Sequence, residues 1–224
     1  MSAPPATRHA SPEQRDPHAR LYALASLLLQ YPEPDLLTRR EAAVAAAEAL
    51  PSSPQRAALR RFLVYWLATP GTRLAEEYVA TFDLQKRCGL YLSYYLFGDR
   101  RQRGVTFLRL KQLYEAAGWE LTSRELPDYL PLMLEFAANA PAGYGEAVLQ
   151  EFRPSLELLR LGLHDLVSPY VHVLDAVTLG LPRLTHDQRE AVLRLAADGP
   201  PTEQVGLEPC GPLGVMPSVR EVSR

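Results

Sequence analysis

The chain has 224 residues, 47% of them hydrophobic, and 24 Lys and Arg against 26 Asp and Glu leave a net charge of -2. That length is enough for one sizeable core, and the near-neutral balance excludes a global field that would draw the chain to nucleic acid or an anionic membrane. Cys88 and Cys210 form no CxxC pair or zinc-spaced cluster, the first sixteen residues lack the apolar run of a secretory signal, and Leu21 to Leu29 falls short of the ~20 residues that span a bilayer. A reduced, cytoplasmic protein is expected.

After an N-terminal segment, 1–16, expected to be disordered, apolar residues recur at three- and four-residue steps. Leu21, Leu24, Ala25, Leu28 and Tyr31 form one stripe, stopped by Pro32 and Pro34. Further helices are predicted near 35–49, 55–69 and 72–83, separated by Pro51, Pro54 and Pro70-Gly71. Residues 84–98, with Tyr94 and Tyr95, suit strand or helix equally and read as irregular and partly helical. A helical period returns over 99–117 with Val105, Leu108, Leu113 and Ala116, and Gly118 stands where a C-terminal cap is wanted.

Thr122 and Glu125 are spaced as a capping box, and Pro131 belongs to the first turn of the next helix or marks a kink. That helix carries Leu130, Leu134, Ala137 and Ala138. Helices near 142–166, with a break at Pro154, 169–180 and 186–197, opened by a Thr185–Gln188 capping box, complete the domain. The Gly- and Pro-rich stretch 199–224 reads as an extended tail. No hairpin signal occurs, so the class is all-α: a single-domain multi-helix bundle spanning 17–198.

Chemistry is sought and not found in these patterns. No Glu has a His three residues later, as a di-iron bundle requires, and His164 and His172 are separated by Pro169. No phosphate loop, dinucleotide fingerprint or nucleophile elbow is present. The expectation is a protein without catalytic residues, metal or cofactor. Cys88, preceded by Lys86 and Arg87, is either an activated thiol or a small buried apolar residue.

Charge is distributed unevenly. Lys86 to Lys111 holds seven basic residues and one acid, and Gln112 to Glu151 holds seven acids and one base. Two readings stand: the blocks are solvated faces that pair with each other, or they edge a binding surface with the aromatic cluster Tyr91, Tyr94, Tyr95 and Phe97. Asp128 and Glu135 lie two helical turns apart, so on one helix they would share a face beside Leu130 and Leu134. An apolar floor with an acidic rim would accept a positively charged amphipathic peptide.

The run from Tyr78 to Gly104, YVATFDLQKRCGLYLSYYLFGDRRQRG, then LRLKQLYEAAGWE and ELPDYLPLMLEFAA, closely resembles the nitrate reductase delta subunit, the NarJ-type molybdenum cofactor assembly chaperones. The close match covers about 60 residues and extends more weakly to LYALASLLLQYPEP. The resemblance implies the all-helical fold of the TorD- and DmsD-type maturation chaperones. It implies a partner too: the N-terminal segment of the nitrate reductase catalytic subunit, held competent for molybdenum cofactor insertion before membrane docking. Its implied peptide-binding residues are Tyr91, Tyr94, Tyr95, Arg103, Gly104, Glu125, Asp128, Tyr129 and Glu135. In the wider family's acidic-Pro-Asp-His segment, Glu125, Pro127 and Asp128 match, while Tyr129 stands in place of His. A maturation chaperone for another molybdoenzyme, a helical adaptor and, remotely, a metal- or nucleotide-dependent hydrolase are the alternatives, and homodimer formation is left open.

Overall fold

Proline and capping chemistry cut the chain into short helices. The computed structural model describes residues 16–121 and 125–198. The elements are α1 (Pro17–Leu28), α2 (Pro34–Leu37), α3 (Arg40–Glu48), α4 (Pro54–Ala68), α5 (Gly71–Tyr78), α6 (Leu92–Phe97) and α7 (Arg101–Ala116), followed by α8 (Leu130–Asn139), α9 (Tyr144–Glu151), α10 (Arg153–Asp165), α11 (Val171–Leu179) and α12 (His186–Asp198). A π-turn over Val79–Asp83 continues α5, and a 3-10 turn over Lys86–Cys88 precedes α6.

Proline occupies the first turn of α1, α2, α4, α8 and α10, where its missing N–H leaves no bond unmade. Pro131 therefore starts α8 rather than kinking it. The expected break at Pro154 falls at Phe152, and Pro154 lies inside the new helix. Ser53 caps α4 by accepting the Arg56 amide at 3.2 Å. The Thr185–Gln188 box forms reciprocally, at 3.0 and 3.2 Å. Gly118 takes φ +76° just past α7, a left-handed cap that a side chain would strain. The Thr122–Glu125 box and the two terminal segments expected at 1–16 and 199–224 fall on or run into residues outside those described.

Helix α8 is apolar almost all round. Leu130, Leu132, Met133, Leu134, Phe136, Ala137 and Ala138 are all buried, as befits a central helix rather than a surface one. It packs on α1 and α9; α1 also meets α11 and α3, α4 meets α11 and α3, and α10 meets α6, α9, α11 and α12. Among the described residues the sole extended pairing is an isolated antiparallel bridge between Tyr91 and Tyr129.

Three periodicity readings need correction. Helix α1 ends at Leu28, so Tyr31 is outside the stripe and 43% exposed. On α7 the buried positions are Thr106, Leu110 and Tyr114, whereas Val105 and Leu108 are 62% and 64% exposed. The two stripes differ by about a third of a turn, and only the surrounding helices select between them. Finally, Asp128 precedes α8, so it shares no helical face with Glu135.

Charged side chains of α10 and α11 pair locally. Buried Arg153 pairs with Glu157 at 2.9 Å, Glu157 with Arg160 at 2.7 Å, and Arg160 with Asp175 at 3.2 Å. His172 lies 3.8 Å from Asp175, which makes it part of this network. No group of three or more potential metal ligands occurs among the described residues, and no described helix is long and apolar enough to cross a membrane.

Candidate functional site

The bridge between Tyr91 and Tyr129 organises the region. Leu92 N–H donates to the Asp128 carbonyl at 3.0 Å, and Leu130 N–H donates to the Leu90 carbonyl at 2.8 Å. Tyr114 on α7 donates its hydroxyl to the Pro127 carbonyl at 2.7 Å, and Ser26 on α1 donates to the Pro131 carbonyl at 2.7 Å. Segment 127–131 is thus held by α1, by α7 and by the strand-like residues before α6. A turn closed by the Tyr129 N–H donating to the Leu126 carbonyl at 3.1 Å comes just before the bridge, and across it Asp128 and Tyr129 meet different neighbours.

Asp128 turns inward and is completely buried. Its Oδ2 accepts the Ser93 hydroxyl at 2.5 Å and the Ser93 amide at 3.2 Å, and an Arg103 guanidinium nitrogen lies 3.6 Å away. Arg103 Nε also donates to Ser93 Oγ at 3.1 Å. Its guanidinium sits over the rings of Tyr94 at 5.9 Å and Phe107 at 5.2 Å, within cation–π range. This node ties α6, α7 and the segment before α8 together.

Tyr129 turns the other way. Its ring centroid lies 5.4 Å from that of Tyr91, and its hydroxyl lies 3.3 Å from that of Tyr78. Tyr78 in turn donates to the Leu29 carbonyl at 3.1 Å, and Tyr31 packs edge-on against it at 5.4 Å. These rings, with Phe82, Asp83, Leu90 and Glu125, line a cavity of about 230 Å³. Tyr91 donates weakly to Glu125 at 3.4 Å. Burial, and then the Glu125 carboxylate, push the Tyr91 hydroxyl up to about 12, and Tyr129 and Tyr78 are raised chiefly by burial. All three stay neutral donors at physiological pH.

Of the nine residues implied by resemblance, the structure brings Tyr91, Glu125 and Tyr129 together at this cavity. Asp128 and Arg103 form the buried node behind it. Tyr95 is 6% exposed and donates to the carbonyls of Arg87 and Gly89, and with Tyr94, Lys86 and Arg87 it lines a separate cavity of about 270 Å³. Gly104 lies on the outer face of α7 with open space where a Cβ would be. Glu135 is exposed on α8 and lines neither cavity. Pairs across the charge blocks include Arg103 with Asp128 and Arg109 with Glu151.

Cys88 is 1% exposed, and burial raises its thiol to about 11, so it is the small buried apolar residue. It packs beside Gly162 of α10, where a Cβ would stand 2.5 Å from the Arg87 carbonyl oxygen. Only glycine lets the 3-10 turn approach this closely.

Tyr31, Tyr78, Phe82 and Asp83 reach the cavity without a signal in the sequence that singles them out as site residues. Tyr78 and Phe82 are four apart, one helical turn, and both open the run that carries the family resemblance. The π-turn over Val79–Asp83 places Phe82 and Asp83 at the cavity, and such turns accompany functional sites.

The described helices form a bundle with a cavity walled by tyrosines and edged by carboxylates. A redox enzyme maturation protein from Archaeoglobus fulgidus has a similar fold, with a TM-score of 0.54 at 23% identity over 72% of this chain and 92% of that one. The sequence profile of the nitrate reductase delta subunit matches residues 47–176. The chain belongs to that family, the NarJ-type molybdenum cofactor assembly chaperones. It is 32% identical over 163 residues to a Bacillus subtilis (strain 168) protein described as a probable nitrate reductase molybdenum cofactor assembly chaperone, NarJ, covering 73% of this chain and 89% of that one. It is 33% identical to NarJ of Escherichia coli K12, covering 68% and 65%. A nitrate reductase-like protein, NarX, of Mycobacterium tuberculosis is also 33% identical, but the chain spans only 25% of its length. The NarJ relatives are named for assembly, not for catalysis.

Proposed function

We propose that this protein is a cytoplasmic chaperone that binds the N-terminal segment of a nitrate reductase catalytic subunit and holds that subunit competent for molybdenum cofactor insertion before membrane docking. The observation that carries the reading is the cavity of Tyr31, Tyr78, Tyr91 and Tyr129 edged by Asp83 and Glu125, built by the segments that resemble the family. Tyrosine suits such a task because a rigid ring supplies apolar area at low entropic cost while its hydroxyl bonds the peptide. Asp128, Ser93 and Arg103 hold the cavity's shape without touching the peptide.

Titration calorimetry of the full chain with a peptide copying the first residues of the catalytic subunit tests this reading. Saturable binding that weakens on Tyr91→Ala or Tyr129→Ala is expected. No binding, or binding indifferent to both substitutions, refutes the assignment. Co-purification with the intact catalytic subunit tests the partner independently of the site.

A further inference from the structure

We propose that the tyrosine-walled cavity is a cage for one cationic side chain of the bound peptide, an alkylguanidinium or alkylammonium group. This rests on the reading of that cavity as the peptide site. At about 230 Å³ it is smaller than the ~300 Å³ at which pockets for drug-sized ligands begin. It therefore has room for one side chain, and the rest of a peptide would lie outside.

The walls specify the charge. Tyr31 and Tyr78 stand at 90° to each other, Tyr91 and Tyr129 are inclined at 36°, and the Tyr78 and Tyr129 hydroxyls, 3.3 Å apart, join the two pairs. Ring faces carry the negative part of the aromatic quadrupole and attract a cation within about 6 Å of the centroid. Asp83 and Glu125 add two carboxylates, and no described basic residue lines the cavity. This contrasts with Asp128 in the same segment, whose Oδ2 already has Ser93 and, at 3.6 Å, Arg103. An anion would be repelled, and a purely apolar side chain would strip water from the carboxylates with nothing in exchange. A guanidinium or ammonium both stacks and pairs.

Full-length protein is titrated with the catalytic-subunit N-terminal peptide and with versions in which each Lys is replaced by norleucine and each Arg by citrulline. One replacement is expected to weaken binding about 5- to 30-fold, the other positions much less. That loss should disappear in the Asp83→Asn, Glu125→Gln double variant and persist in Asp187→Asn, a substitution on α12. If the parent peptide binds and every neutral replacement stays within twofold, the cage is wrong while the peptide site stands.

A second arm needs no peptide. The full chain with labelled tyrosines is titrated by NMR with ethylguanidinium, n-butylammonium and the neutral isostere ethylurea. Saturable shifts of Tyr31, Tyr91 and Tyr129 with a cation but not with ethylurea support the cage even if the peptide fails to bind, and the stronger of the two cations identifies the side chain. Equal response to ethylurea, or response to none of the three, overturns it.

Discussion

Asp128 and Tyr129 are adjacent in sequence and belong to different regions of the molecule. Asp128 lies in a buried node in which Ser93 donates to its Oδ2 and Arg103 stands 3.6 Å away. Tyr129 lies at an open cavity where Asp83 and Glu125 face tyrosine rings with no described basic residue among the lining. The difference separates two functions that a single motif conceals: one side of the segment stabilises the fold, and the other leaves charge and aromatic surface for a partner.

The largest effect should fall on the node. Removing one partner of a buried pair strands the other, so Asp128→Ala is expected to lower unfolding stability by about 3 kcal/mol, read from the denaturant midpoint at constant slope. Peptide affinity per folded molecule should change far less. An unchanged midpoint with abolished binding would collapse the distinction between the two regions.

A pH experiment sharpens the same contrast at Cys88, another buried group from the segment that builds the site. Its thiol is raised by burial to about 11 in the folded protein from an ordinary value of 9.0. The unfolded state therefore releases its proton first as pH rises. Cys88 contributes stability in full below about pH 9 and loses it as pH rises through 11, by up to about 3 kcal/mol. Unfolding measured across this range should fall less steeply for Cys88→Ala than for the parent protein.

On the cavity side, Tyr91→Ala should weaken the peptide by about tenfold, roughly 1.4 kcal/mol, with a smaller stability loss than Asp128→Ala. Calorimetry and a denaturation curve on the same preparation decide it. The smallest effect is expected on the outer face of α7, where Val105→Gln and Leu108→Gln should each alter stability by less than about 0.5 kcal/mol. A larger loss would restore the apolar stripe that periodicity suggests there.

Much of the helical organisation is legible from local chemistry. Proline at five helix starts, the Thr185–Gln188 box and Gly118 act within one or two turns of chain, so neighbouring residues suffice to locate them. The candidate site is only partly legible. Tyr91, Glu125 and Tyr129 lie in the family-like runs and do reach the cavity, but Tyr31 looks like a continuation of the α1 stripe and instead walls it. Asp128 looks like a rim carboxylate and is buried, because whether a turn residue becomes interior depends on what packs around it.

The amino-acid sequence by itself determines the all-α class, the succession of short helices, the inversion of charge between 86–111 and 112–151, and the resemblance that leads to the family. Tertiary structure alone decides which of those residues meet. Ser93 and Asp128 are 35 positions apart, and Tyr31 and Tyr78 are joined through the fold rather than through any period. Helix formation is governed by bonds between near neighbours, whereas the division into a paired node and an open aromatic cavity depends on long-range contacts, the Tyr91–Tyr129 bridge and the Ser93–Asp128 hydrogen bond, that only the fold brings together.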